Sequence, residues 1–183
     1  MTRPSGITEV MAILNWRVPK MTSTPIATAP FVIQVHVLFA LVSVVIGPFA
    51  LYRKRRDGLH KSLGYTWVSA LAGLAITGFF IESDFAVVGR FGPIHALCVV
   101  ALFGLANGTY QAIKGNIKAH EATMKSLWYG AVWFTGVLTL SPGRTMNEAL
   151  LGGSATLGIT AILGGTVAMI LVIYRRRISA LVA

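Results

Sequence analysis

The sequence has few charged residues, few acidic residues and almost no cysteine. Only 12% of its residues are charged, and 55% are hydrophobic, whereas a soluble domain is typically about a quarter charged. The mean hydropathy of +0.70 excludes a disordered chain and disfavours an ordinary cytosolic enzyme. The single cysteine excludes an internal disulfide and a cysteine-rich zinc or iron–sulfur site. The composition therefore predicts an integral membrane protein.

Five segments are long and apolar enough to cross the hydrocarbon layer, which takes about 20 helical residues. They cover residues 31–52, 62–81, 92–113, 122–141 and 155–174. Proline and glycine residues separate them. We expect an all-α integral membrane fold with five transmembrane helices, of which the first four form an up-down bundle. The expected order along the chain is an N-terminal tail (1–30), a four-helix core (31–141), an outer loop (142–154), the fifth helix (155–174) and a basic tail (175–183).

The sixteen lysine and arginine residues predict the orientation of these helices. Those that follow the first, third and fifth spans are Arg53, Lys54, Arg55, Arg56, Lys61, Lys114, Lys118, Lys125, Arg175, Arg176 and Arg177. The remaining five are Arg3, Arg17, Lys20, Arg90 and Arg144. Basic residues accumulate on the cytoplasmic side of membrane proteins. We therefore expect the N-terminus and the loop at 142–154 outside and the C-terminus in the cytoplasm.

Four histidines are placed regularly with respect to the spans. His36, His60, His95 and His120 each lie at or near the start of one of the first four. The first two are 24 residues apart and the last two are 25 residues apart, and the sequence around them repeats weakly. We interpret this as a two-helix unit used twice. A lone histidine at a helix end is unremarkable, but four in register favour a ligand role.

The repeat predicts which histidines share a membrane depth. Both units start on the same side, so His36 and His95 lie near the outer face, and His60 and His120 lie near the cytoplasmic face. In a four-helix bundle each pair sits on diagonal helices, roughly 11–14 Å apart. This separation is too wide for two imidazoles to share one bare metal ion. It suits two imidazoles that ligate the iron of a haem from opposite faces, so we expect two haems, one for each histidine pair.

Other residues have two interpretations. The small residues that would leave room for a flat macrocycle are Ala40, Ser43, Gly47, Gly64, Gly104 and Gly108. Small residues also mark tight helix–helix contacts in any membrane bundle. Cys98 and Met124 lie one turn from His95 and His120, and they are alternative ligands or core residues.

Cations near the helix ends are candidate partners for haem propionates. Lys61 and Lys125 lie near the cytoplasmic pair, and Arg90 and Arg144 lie near the outer ends of the helices. Arginine suits bidentate contacts with carboxylates. The same four residues are equally explained as topology charges that face water or lipid phosphate.

Several functional classes lack their characteristic residues. No Asp, Glu, Lys or Arg lies in the middle of a predicted span, which disfavours proton pumps, ion-coupled transporters and permeases. The sequence contains no Gly-x-Ser-x-Gly, Walker or His-Glu-x-x-His motif. No catalytic residue is predicted.

Two resemblances rest on the histidines and their neighbours. The motifs of the first are His36…Gly47-Pro48, Leu59-His60-x3-Gly64, Phe79-Phe80-Ile81, Pro93-Ile94-His95, Ala119-His120-x3-Met124 and Ser141-Pro142-Gly143-Arg144. Over about residues 31–152 this pattern resembles an uncharacterised bacterial family of multi-pass membrane proteins.

The second resemblance is broader. The pattern of one histidine at the start of each of four core helices is similar to that of the cytochrome b561 superfamily. That second resemblance implies transmembrane electron transfer from a quinol or a small reductant such as ascorbate. The chain differs from that superfamily in its single extra helix and its short loops.

These observations predict a b-type dihaem cytochrome of the bacterial inner membrane that relays electrons between the two membrane faces. The expected partners are lipid, a quinol or small reductant, and a redox partner protein. No nucleic acid partner is expected. Membrane oxidoreductase activity is left open. The main alternative is a haem-free subunit of a larger complex, whose histidines hydrogen-bond across helices or titrate near neutral pH.

Overall fold

The computed structural model describes residues 24–83 and 86–182, without the side chains of 172, 173 and 176–182. Residues 1–23 of the predicted tail and Ala183 lie outside the described residues. The described ranges contain helices and turns but no strand beyond an isolated bridge between Val88 and Phe91. The helices are α1 (Thr24–Ala27), α2 (Phe31–Tyr52), α3 (Gly58–Gly78), α4 (Pro93–Ile113), α5 (Ile117–Leu127), a π-helical segment (Trp128–Phe134), α6 (Thr135–Leu138), α7 (Thr145–Leu151) and α8 (Ala155–Val182).

The helix starts follow from local sequence chemistry. The Asp57 side chain caps α3 by accepting from the backbone N–H of His60, and the Asn116 side chain caps α5 by accepting from Ala119. Both satisfy backbone donors that have no partner inside the first helical turn. Pro93 occupies the first turn of α4, where its missing N–H costs nothing.

Helices α2 to α5 pack each against the next, and α2 also contacts α5 and the π-helical segment. The buried centre is formed by Trp67 and Leu71 of α3, Leu105 of α4, and Leu127 and Trp128 where α5 meets the π-helical segment. The Trp67 indole N–H donates to the carbonyl of Ser43 at 3.1 Å, which fixes α2 against α3. The most buried layer therefore lies midway along the helices, between the two histidine levels.

The fourth predicted span is a broken helix. Seven residues, Trp128–Phe134, adopt π-helical geometry between α5 and α6. Such wider turns are rare and occur mostly as single-turn insertions in α-helices. The segment buries Trp128 and Val132, and the Tyr129 hydroxyl contacts that of Tyr52 at the end of α2.

The segment predicted as an outer loop contains helix α7. The Asn147 side chain is fully buried, and its amide donates to the carbonyls of Leu140 at 2.8 Å and Ser154 at 3.2 Å. Gly152 and Gly153 then turn the chain with left-handed backbone angles of 58° and 77°, which glycine adopts without a steric penalty. The end of the predicted N-terminal tail is helical too, because it contains α1. This short helix packs against α7.

Two helices are long and apolar enough to cross a membrane, namely Phe31–Tyr52 and Pro93–Ile113. A third span exists if Thr145–Leu151 and Ala155–Leu171, bent by 100°, are counted as one. The structure therefore supports an all-helical membrane protein with two to three candidate spans among its described residues. The other predicted spans fall on helices, α3 and the interrupted α5–α6 stretch, that do not meet this criterion.

Candidate functional site

His36 lies in α2 and is held by α3. Its Nδ1 is 2.9 Å from Thr77 Oγ1. The Thr77 hydroxyl donates a hydrogen bond to the carbonyl of Gly73, at 2.8 Å. With the hydroxyl proton assigned to that carbonyl, the Thr77 oxygen accepts from His36 Nδ1, and this assignment leaves the lone pair of the neutral ring on Nε2.

His95 is buried at the start of α4, with 4% of its surface exposed. Its Nδ1 accepts a hydrogen bond from the backbone N–H of Gly92 at 3.1 Å, which places the ring proton on Nε2. That Nε2 is buried and has no hydrogen-bond partner among the described residues. The rings of Phe79 and Phe91 pack against the imidazole, with centroids 6.1 Å and 4.9 Å away.

The structure brings His36 and His95 to the same end of α3. A Cβ atom placed on Gly78 would lie 2.9 Å from Cys98 Sγ and 3.6 Å from His36 Cε1. The neighbouring residue, Phe79, is the one that packs against His95. The C-terminal end of α3 therefore lies beside both imidazoles, and Cys98 belongs to the same neighbourhood.

His120 and His60 lie at the opposite end of the helices. His120 Nδ1 donates to the carbonyl of Gly108 at 2.8 Å, joining α5 to α4 and leaving the lone pair on Nε2. His60 Nδ1 is buried and has no partner among the described residues. Arg56, in the loop before His60, lies 4.0 Å from Glu121, the residue after His120. These contacts place both histidines beside the same basic loop.

The small residues do not line an open slot. A Cβ on Gly47 would collide with the indole of Trp128 and lie 2.9 Å from Trp67 Nε1. Leu127 and Met124 occupy the corresponding space at Gly104 and Gly108, whereas nothing lies within 4 Å of a Cβ on Gly64. The expectation of room for a macrocycle along the Gly47 face is therefore wrong, because large side chains from neighbouring helices fill that space. Met124 is a buried core residue.

The four predicted cations have different surroundings. The Arg90 guanidinium donates to the carbonyl of Phe80 at 2.7 Å and so closes the connection between α3 and α4. Lys125 Nζ lies 2.7 Å from Glu121 Oε1, one turn earlier on α5. Lys61 is exposed near the start of α3, and Arg144 is exposed where α7 begins. The ion pair with Glu121 means that Lys125 already has a carboxylate partner.

The carboxylates at the basic end are held ionised by their neighbours. The hydrogen bond from Arg53 lowers the pKa of Asp57 far below its ordinary value, and the N–H of His60 lowers it further. The hydrogen bond from Lys125 lowers the pKa of Glu121. Opposite charges and hydrogen bonds to the charged form both favour ionisation. These contacts tie the loop at 53–57 to its helix neighbours at this end of the molecule.

No group of three or more His, Cys, Asp or Glu side chains in the described residues converges as a metal site. Each predicted haem needs only one histidine pair, so this observation does not test the haems.

Sequence reasoning missed the hydrogen-bond partners of the histidines, which are Thr77 and the backbone groups of Gly92 and Gly108. Thr77 is one of few polar residues within a predicted span, which was the only signal available.

The comparison with protein families supports the first resemblance. The family described as "Predicted membrane protein (DUF2306)", an uncharacterised domain, matches residues 33–173. No curated protein and no solved structure matches the chain. The resemblance to an uncharacterised membrane family is confirmed, and the similarity to the cytochrome b561 superfamily has no support from these comparisons.

Proposed function

The chain belongs to the DUF2306 family of membrane proteins, and we propose that it is a b-type dihaem cytochrome that relays electrons between the two faces of the bacterial inner membrane. In this proposal His36 and His95 hold one haem and His60 and His120 hold the other. When bound, the haem iron supplies the one-electron chemistry. The chain's own residues orient the imidazoles and exclude water.

The proposal rests chiefly on the state of the ring nitrogens. A histidine that ligates a metal usually donates its other ring N–H to a protein oxygen, which fixes the tautomer. His36 does this to Thr77 and His120 does it to Gly108, so each carries a lone pair on Nε2. His60 has a buried Nδ1 without a partner among the described residues, as expected of a polar group whose partner is a ligand. The unpartnered buried atom of His95 is Nε2, which carries the ring proton while Nδ1 accepts from Gly92.

The spacing of the two levels also supports the proposal. His60 and Thr77, the partner of His36, are both in α3, and their separation of 17 positions corresponds to a rise of roughly 26 Å. This approaches the thickness of the hydrocarbon layer, about 30 Å. The packed layer around Trp67 and Trp128 separates the two levels.

Two observations limit how haem would fit. Coordination through His95 Nε2 requires its proton to move and the bond from Gly92 to be given up or altered. The space beside Gly47 is occupied by Trp128 and Trp67. The fit is therefore better for His36 and His120 than for His95.

The finer architecture belongs to the same proposal. We infer five transmembrane helices, with α2 to the end of α6 forming an up-down core of two two-helix repeats. The proposal also has the N-terminus outside and the basic C-terminal end in the cytoplasm, as the positive-inside rule predicts. Lys61, Arg90, Lys125 and Arg144 are the candidate propionate partners, and the electron donor is a quinol or small reductant.

A haem-free role has its own supporting observation. Three of the four imidazoles form structural hydrogen bonds: His36 joins α2 to α3, His120 joins α5 to α4, and His95 caps its own helix. Polar contacts of this kind stabilise membrane helices without any cofactor. The second candidate is therefore a membrane subunit whose histidines are structural.

A reduced-minus-oxidised visible spectrum of detergent-purified protein from iron-replete cells separates the two. We expect b-type bands and two haems per chain by pyridine haemochrome assay. His36→Ala or His95→Ala should remove one haem, and His60→Ala or His120→Ala should remove the other. Asn107→Ala, at an exposed polar position of α4, is the matched control and should keep both. A colourless, folded preparation would contradict the dihaem proposal and favour the structural role.

A further inference from the structure

An apolar groove opens on the side of the molecule between α3 and α4. Its volume is about 380 Å³, within the range of roughly 300–1,000 Å³ of ligand sites. Val68 and Ala72 of α3 and Leu102 and Ala106 of α4 form much of its lining. Because Ala72 and Ala106 have small side chains, the two helices leave a furrow where larger residues would close it. The groove lies along α4, one of the two helices apolar enough to span a membrane, so it faces lipid.

The basic end of this groove carries an aromatic ring and a cation. Tyr110 and Ile113 line it there, and Lys114 Nζ lies 5.6 Å from the centroid of the Tyr110 ring. Lys114 is exposed and takes part in no ion pair among the described residues. A tyrosine next to a lysine at the end of an apolar helix is typical of the headgroup level of a bilayer. The apolar furrow therefore ends at a positive charge.

We propose that this groove binds one anionic phospholipid, with an acyl chain along Ala72 and Ala106 and the phosphate beside Lys114. The furrow supplies the contacts for the acyl chain, and the exposed Lys114 supplies the complementary charge for the headgroup. A neutral isoprenoid quinone would use the furrow but would gain nothing from Lys114. The charge at the rim therefore favours the phospholipid. This inference does not depend on the presence of haem.

Native mass spectrometry of the detergent-purified protein tests the proposal by counting bound lipids. We expect one saturable site that prefers phosphatidylglycerol to phosphatidylcholine. Ala106→Leu should abolish that site, because the added side chain fills the furrow. Ala106 is exposed, so the substitution does not enter the core. Ala168→Leu, the same change at an exposed position of α8, is the matched control and should leave binding unchanged.

A second pair of variants tests the headgroup. A lysine near the membrane surface is worth about fivefold in affinity for anionic lipid, so Lys114→Gln should lower the preference for phosphatidylglycerol by about that factor. Lys54→Gln, in the other basic loop, should not.

Three results would overturn the proposal. They are equal binding of the two lipids, binding that survives Ala106→Leu, or displacement of phosphatidylglycerol by a stoichiometric amount of ubiquinone. The last would assign the groove to a quinone instead.

Discussion

His36 Nδ1 and Thr77 Oγ1 lie 2.9 Å apart although 41 residues separate them in sequence. The contact joins the first part of α2 to the last turn of α3 and orients the imidazole. An interhelical hydrogen bond in a membrane protein contributes about 0.6 kcal/mol on average. The pair therefore orients the ring more than it stabilises the protein.

Thr77→Val should separate orientation from stability. It removes the acceptor for His36 with little change of shape, so we expect a loss of about 0.6 kcal/mol in unfolding free energy and, in haem-bound protein, a shifted spectrum for one haem. Thr77→Ser keeps the hydroxyl and should restore both. Equilibrium unfolding in detergent and low-temperature difference spectra measure the two effects. Identical behaviour of the valine and serine variants would show that the hydrogen bond does not position His36.

Gly47→Ala should destabilise the protein because Trp128 and Trp67 fill the space that a Cβ would take. Overpacking of this kind costs about 1–3 kcal/mol. Gly64→Ala is the control: nothing lies within 4 Å of its Cβ position, and alanine is a better helix former by about 0.5–1 kcal/mol. Thermal unfolding in detergent should therefore move in opposite directions for the two variants. A stable Gly47→Ala protein would mean that the Trp128 indole is not packed there.

Asn147→Ala should loosen the turn between α6 and α8. The substitution leaves the partly buried carbonyls of Leu140 and Ser154 without this donor, at a cost of about 1 kcal/mol. Limited proteolysis should then cleave within residues 142–154 faster than in the parent protein. Glu148→Ala, at an exposed position of the same helix, should leave the rate unchanged. Equal rates for Asn147→Ala and the parent would contradict the clamp.

Asp57 should make stability depend on pH in the acidic range. Its folded pKa is lowered, chiefly by the hydrogen bond from Arg53, below the ordinary value of 3.8. A carboxyl with a lowered folded pKa stabilises the protein above its unfolded pKa, and this stabilisation is lost as the pH falls below about that value. Asp57→Asn keeps a side-chain oxygen for the helix cap but cannot ionise. Its melting temperature should fall less than that of the parent between pH 5 and pH 3.

The Asp57 titration has a matched comparison in Asp57→Ala. This variant loses both the cap to His60 and the partner of Arg53, so it should melt below the asparagine variant at neutral pH. If all three proteins showed the same change between pH 5 and pH 3, Asp57 would not be the titrating group.

Much of the helical framework could be predicted from the sequence. The predicted span at 31–52 coincides with α2, and α4 begins at Pro93, within one residue of the predicted start. The helices α3 and α5 begin at 58 and 117, earlier than the predicted 62 and 122, because the side chains of Asp57 and Asn116 cap them. The helix at 145–151 was missed because its stabilising contacts come from Asn147, whose partners lie seven residues away on either side. The π-helical segment was missed because no short pattern distinguishes it from ordinary helix.

The sequence by itself determined the membrane class, the family and the placement of one histidine near each of four helix starts, because hydropathy, charge and helix breakers act over short stretches of chain. Only the tertiary structure decided the partner of each imidazole and the use of the small residues. His36 meets Thr77, His120 meets the carbonyl of Gly108, and Trp128 fills the space beside Gly47. These contacts join residues 12 to 81 positions apart, and their geometry depends on how whole helices pack.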